Sequence, residues 1–160
     1  MEIKFKSKAH TLIELSDQLD SASVPKLKVI NYSDFCRSES KILSKIAQTF
    51  SGQLVAVRSS YSGEDTSFQS SAGVYSSFLS VDPQNVILMS KLISDVFNGY
   101  NKGDGILKDS ELVFIQTMVE DIDCSGVLFS RSVDDGAPYY TFSYDDETGR
   151  TDTVTAGTDY

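Results

Sequence analysis

The chain has 160 residues, 40% of them hydrophobic, which suits one domain, or two small lobes, with a buried core. Its formal net charge of -9 argues against nucleic acid or an anionic membrane surface as the main partner, since both are held by basic patches. An anionic nucleotide stays compatible with a few local cations. No signal peptide and no stretch of transmembrane length is expected. The two cysteines, Cys36 and Cys124, lack any paired spacing for zinc, redox chemistry or a disulfide framework, so a reducing cytoplasm is the expected home.

Taken in chain order, residues 8–19 predict a helix carrying Leu12, Leu15 and Leu19 on one stripe, ended before Pro25. A short strand over 24–30 follows. A second helix is expected over 38–50, where Ile42, Ile46 and Phe50 repeat at helical spacing and Gly52 is a natural stop. Residues 54–57 read as a buried strand, and 58–71, crowded with Ser, Gly, Asp and Thr, as a long polar loop. Residues 74–81 alternate as a strand, and 83–100 carry a broad amphipathic helical face from Val86 to Phe97. Strands at 112–119, 126–130 and 139–144 are separated by acidic or glycine-bearing turns, and 151–155 make one more. The pattern is α+β with mostly antiparallel pairing, without a repeat that suggests a solenoid.

Chemistry concentrates around Val55-Ala56-Val57-Arg58-Ser59-Ser60, followed by Gly63-Glu64-Asp65 and Ser70-Ser71-Ala72-Gly73. A buried strand delivers one arginine into a loop of hydroxyls and small residues. Backbone N–H groups can approach an oligophosphate there, and Arg58 can offer a fork of charge-assisted donors. The plain alternative is a surface loop whose arginine pairs with Glu64 or Asp65. Lys8, read alone, is a solvated helix-face lysine beside Lys4 and Lys6.

Three ordered segments resemble one family. Val55 to Ser60 with Glu64-Asp65 and Ser71-Ala72-Gly73 is similar to the phosphate-binding loop of phosphoenolpyruvate synthase, pyruvate phosphate dikinase and glucan water dikinase. Ile115-Gln116-Thr117-Met118-Val119 and Ser125-Gly126-Val127-Leu128-Phe129-Ser130-Arg131 resemble the family's hinge strand and the hairpin partner after it. Lys8-Ala9 with Leu12, Glu14-Leu15 and then Val24-Pro25 resembles its N-terminal lysine helix and following strand. The resemblance implies an α+β, ATP-grasp-like domain of two small lobes, divided at 1–114 and 115–160, with mostly antiparallel sheets and flanking helices.

The resemblance also implies roles. Lys8 and Arg58 match the cations that hold ATP phosphates, with Ser59, Ser60 and Gly73 in the phosphate loop. Gln116, Met118 and Val119 match the stretch along the adenine, and Glu120 a ribose contact. Asp145, Asp146 and Asp152 fall in the region of the magnesium ligands. ATP and Mg2+ are the implied ligands, and a histidine on another domain or chain, a phosphohistidine carrier, the implied partner. The alternative is a degenerate ATP-grasp module with a regulatory or interaction role.

The chain also departs from the family pattern. Lys26 and Leu27 stand where a glycine and an aromatic residue are usual, and residues 34–53 are shorter than in full-length enzymes. The glycine-rich run before the second acid is missing, and residues 145–150 read equally as a hairpin turn. The single histidine, His10, has no phosphohistidine-like setting.

Overall fold

A computed structural model describes residues 7–61, 65–66, 69–70, 77–100, 107–108, 111–132 and 134–148. The chain divides into two compact units, Met1–Met118 and Val119–Tyr160, and the main hydrophobic core lies in the first.

The first unit is built on a four-stranded antiparallel sheet in the order β1-β6-β2-β5, with β1 at Leu27–Asn31, β2 at Val55–Ser60, β5 at Ser77–Val81 and β6 at Leu112–Thr117. Two two-residue strands, β3 (Asp65–Thr66) and β4 (Gln69–Ser70), pair with each other between β2 and β5. In the β2–β6 register Val57 lies opposite Ile115 and Arg58 opposite Phe114. Because successive strand side chains alternate between faces, Val55 and Val57 share one face with Val113 and Ile115. These four belong to the main hydrophobic core. Ala56, Arg58 and Ser60 point to the other face, together with Phe114 and Gln116.

Two helices cover the core face. The second helix, α2 (Tyr32–Thr49), buries Phe35, Leu43 and Ile46, and α3 (Val86–Tyr100) buries Met89, Leu92, Ile93, Val96, Phe97 and Tyr100 at helical spacing. Each large side chain taken from water here contributes about 1.5–3 kcal/mol. Phe97 sits between Tyr32 and Phe35, with ring centroids 5.2 and 5.9 Å away. The first helix, α1 (Lys8–Ser16), buries only Ala9 and packs toward the opposite face, where Ala9 meets Ser60.

Several boundaries differ from the sequence expectation for local reasons. The second helix starts at Tyr32 instead of 38, because the Asn31 side chain accepts a 2.7 Å bond from the Asp34 amide and caps a first segment. Ser38, at φ -147°, breaks the helix internally and hides that segment from the periodic pattern. Residues 83–85 form a turn, not helix: the Asp82 carboxylate accepts from the Gln84 amide, and Asn85 Oδ1 accepts from Leu88 N at the helix start. The first helix ends at Ser16, short of 19. Strand β2 runs through Arg58, Ser59 and Ser60, which the composition had assigned to a loop, because pairing with β6 outweighs the turn preference of two serines. The β2–β5 register shifts between Val55 and Val57, with Ser80 at φ 56° in the bulge. The strand expected at 151–155 lies outside the described residues.

The second unit contains an antiparallel ribbon of β7 (Ser125–Phe129) and β8 (Thr141–Asp145). Gly126 faces Tyr144 across it, and Phe142 and Tyr144, two residues apart on one face, stack at 5.4 Å with planes 15° apart. A Cβ on Gly126 would stand 2.6 Å from the Ser143 carbonyl oxygen and 2.9 Å from the Phe142 ring. Gly126→Ala is therefore expected to loosen this ribbon. Amide hydrogen exchange of Val127 and Ser143 should rise, while that of Val57 and Ile115 in the first unit stays as it was.

Candidate functional site

Strand β2 is the root of the site. Its pleat turns Arg58 away from the hydrophobic core and onto the face that α1 approaches. Burial there is incomplete, but Arg58 Nε is fully enclosed and has no hydrogen-bond partner among the described residues. Desolvation alone pushes the Arg58 guanidinium below its usual range. The sign follows: with the folded value below the unfolded one, burial disfavours the charged form and costs stability at every pH where the guanidinium is charged. That cost is relieved only as pH rises through the folded value, so ordinary pH changes leave the cation in place. A partly dry cation with an unsatisfied donor is a group whose cost a bound anion can offset.

The first turn of α1 comes to the same strand. Ala9 N donates to Ser60 Oγ over 3.0 Å, a buried bond spanning 51 residues of sequence. Ser7, the residue before the helix, makes no side-chain cap, its hydroxyl being bonded to His10 Nδ1 at 2.9 Å. Ser60 therefore serves as a cap supplied from a distant strand, satisfying one of the amides that every helix start leaves open. Lys8, the residue before Ala9, is exposed and opens the helix. The structure thus brings the N-terminus of α1 to within one hydrogen bond of the strand end that carries Arg58.

Other expected site residues are distributed unevenly. Ser59 is buried on the opposite face from Arg58, paired with Val113, so its side chain belongs to the core side. Gln116 is buried on the Arg58 face, one diagonal step away through the pairs Ala56–Gln116 and Arg58–Phe114. The backbone of the supposed adenine stretch is partly committed: Thr117 N donates to Lys26 O and Met118 N to Leu54 O, both at 2.9 Å. Met118 is half-buried and closes the first unit, while Val119 and Glu120 are exposed and open the second. Gly73 and Asp152 lie outside the described residues, as do Glu64 and the Asp65 side chain.

Asp145 is buried at the end of β8, and its carboxylate closes a turn. Oδ1 accepts from the amides of Glu147 at 3.0 Å and Thr148 at 2.7 Å, and Oδ2 from the Thr148 hydroxyl at 2.6 Å. Those oxygens are bonded within the hairpin end, the role its turn composition suggested. Asp146 is exposed beside it. Among the described residues no three acids, histidines or cysteines gather as a metal cluster, so the acids described do not by themselves fit a magnesium site. No helix of the described residues is long and apolar enough to cross a membrane.

The family model of the pyruvate phosphate dikinase AMP/ATP-binding domain matches residues 16–157. The chain belongs to that family. The match takes in the Arg58 strand, the 115–119 segment and the β7–β8 ribbon, whereas Lys8 and Ala9 lie before it. No curated protein and no solved structure matches the chain. Sequence reasoning overlooked Ser60 as a remote helix cap and Tyr100 as a buried hydroxyl. The second had a signal, since a tyrosine on the apolar stripe of α3 must find a partner for its hydroxyl.

Removing the lone cation should expose its cost. Arg58→Met keeps the aliphatic bulk and discards the unsatisfied donor. In the absence of nucleotide it is expected to raise the unfolding free energy by about 1 kcal/mol, a low figure because the group is only partly dry. Urea denaturation reads this directly, and a loss of stability would contradict the account of Arg58 as a partly desolvated cation with an unsatisfied Nε.

Proposed function

We propose that this chain is the ATP-binding domain of a dikinase-type phosphotransferase, with the nucleotide phosphates held on the Arg58 face of the first unit. The observation that carries the reading is Arg58 Nε, enclosed without a partner among the described residues, on a strand that lies within the family match and whose sequence resembles the family's phosphate-binding segment. ATP supplies the phosphoryl group. Arg58 offers planar charge-assisted donors to its oxygens, and Lys8, at the start of a helix whose N-terminus carries partial positive charge, adds a point charge from the other side. Ser60 keeps that helix start against the strand, and the resemblance assigns Gly73 to the same phosphate loop. Gln116 borders the same face. Met118 and Val119 line the adenine and Glu120 meets the ribose.

The acceptor in this reading is a histidine on another domain or chain, a phosphohistidine carrier, since His10 is bonded to Ser7 in an exposed first turn. The compartment is the cytoplasm. By the resemblance Asp146 and Asp152 would hold magnesium, with Asp145 closing the turn through Glu147 and Thr148.

A second reading, a degenerate ATP-grasp module with a regulatory or interaction role and no catalysis, draws on the same Asp145 turn, whose oxygens are already bonded. Magnesium dependence separates the two. Isothermal titration of the protein with ATP and magnesium is expected to give a dissociation constant well below the millimolar range, weakened roughly tenfold or more in Arg58→Ala, the effect of losing charge-assisted bonds of about 1.5–3 kcal/mol. Binding indifferent to magnesium favours the degenerate module. An absence of heat from the folded wild type up to millimolar ATP removes the phosphotransferase reading and favours the degenerate module.

A further inference from the structure

Ser60 is held from two sides, and only one of them is the α1 contact. Its amide donates to the Tyr100 hydroxyl over 2.9 Å, and that hydroxyl donates in turn to the Leu112 carbonyl at 2.7 Å. Ser60 and Leu112 are the last facing pair of the β2–β6 ladder. The phenol oxygen is therefore bonded to both partners at the sheet end from which the chain departs toward residues 62–76. Nothing in the packing alone calls for a hydroxyl here. Tyr100 is 1% exposed, with its ring fixed by Phe97 at 6.1 Å and Tyr61 at 5.2 Å, and a phenylalanine would fill the same space.

With the Ala9–Ser60 bond, the two form a chain of three hydrogen bonds across four elements, α3, β6, β2 and α1. The end of α3 sets the Ser60 amide, and the Ser60 side chain sets the Ala9 amide at the first turn of α1. Arg58 lies two residues upstream on the same face of β2. We propose that Tyr100 is a positioning residue of the phosphate site: its hydroxyl fixes the end of β2, and through Ser60 the N-terminus of α1, at a set distance from Arg58. The inference rests on the nucleotide-binding reading above and adds to it a residue that touches no ligand. A tight anion site needs its donors held at fixed spacing before the ligand arrives, since ordering them on binding subtracts from affinity.

The test is Tyr100→Phe, read in two ways. In the free protein, amide exchange followed by NMR should accelerate at Ser60 and Ala9 by roughly tenfold more than at Val57 and Ile115, which lie within the ladder. Equal acceleration at all four means the hydroxyl serves general stability, and the proposal fails. In binding, ATP and inorganic tripolyphosphate should weaken by the same factor, roughly five- to tenfold, with adenosine unaffected. A common loss for all three ligands, or no loss for any, overturns it. Should the wild type bind none of them, the nucleotide reading falls, and the anchoring of α1 by Tyr100 is still decided by the Ala9 exchange rate. Ser60→Ala guards against a variant that fails to fold. It keeps the Tyr100 bonds and removes only the acceptor for Ala9 N, so it should free Ala9 alone and weaken ATP; unchanged ATP affinity there counts against the proposal.

Discussion

The pleat of one strand governs the first unit. Along β2, Val55 and Val57 enter the core, and the same alternation delivers Arg58 and Ser60 to the opposite face. A shift of one residue in the β2–β6 register would drive the guanidinium into the apolar core and expose two valines, at a cost no fold of this size sustains. The core under α2 and α3 therefore fixes the register, and the register fixes where the cation stands. Stability and chemistry are set by one constraint on opposite sides of a sheet.

The helix start at Ala9 is the second tie. A helix that buries a single alanine has little packing to hold it, and its N-terminal amides lack a local cap. Ser60 supplies that cap across the sheet. The bond is modest in energy, on the order of 1 kcal/mol, but it decides where α1 begins relative to β2. Weak bonds with long sequence separation shape a site more than they stabilise a fold.

Much of this was legible beforehand. The α+β class, the long apolar stripe of α3 and the antiparallel pairs in the last third followed from periodicity. The family was legible from motifs spread along the chain. What escaped was tertiary. The helix turns at Tyr32 to Arg37 were masked by the break at Ser38. The serines at 59 and 60 looked like loop because their type favours turns, yet β6 draws them into the ladder, and the pleat then sends Ser59 and Ser60 to opposite faces. Asp145 could be read as a ligand or a turn former, and its three hydrogen bonds match the turn. Tyr100 escaped because a stripe of apolar spacing says nothing about what a phenol oxygen at its end will bond.

One further consequence comes from the paired rings of Tyr61 and Tyr100. The chain contains eight tyrosines and no tryptophan, so no indole masks phenol absorption and emission. Tyr100 is enclosed, with a hydrogen-bonded hydroxyl, and its neighbour Tyr61 lies directly after the Ser60 junction. The protein thus carries a native chromophore pair at the end of β2, beside the Ser60 junction. Near-ultraviolet dichroism can follow events there without any label.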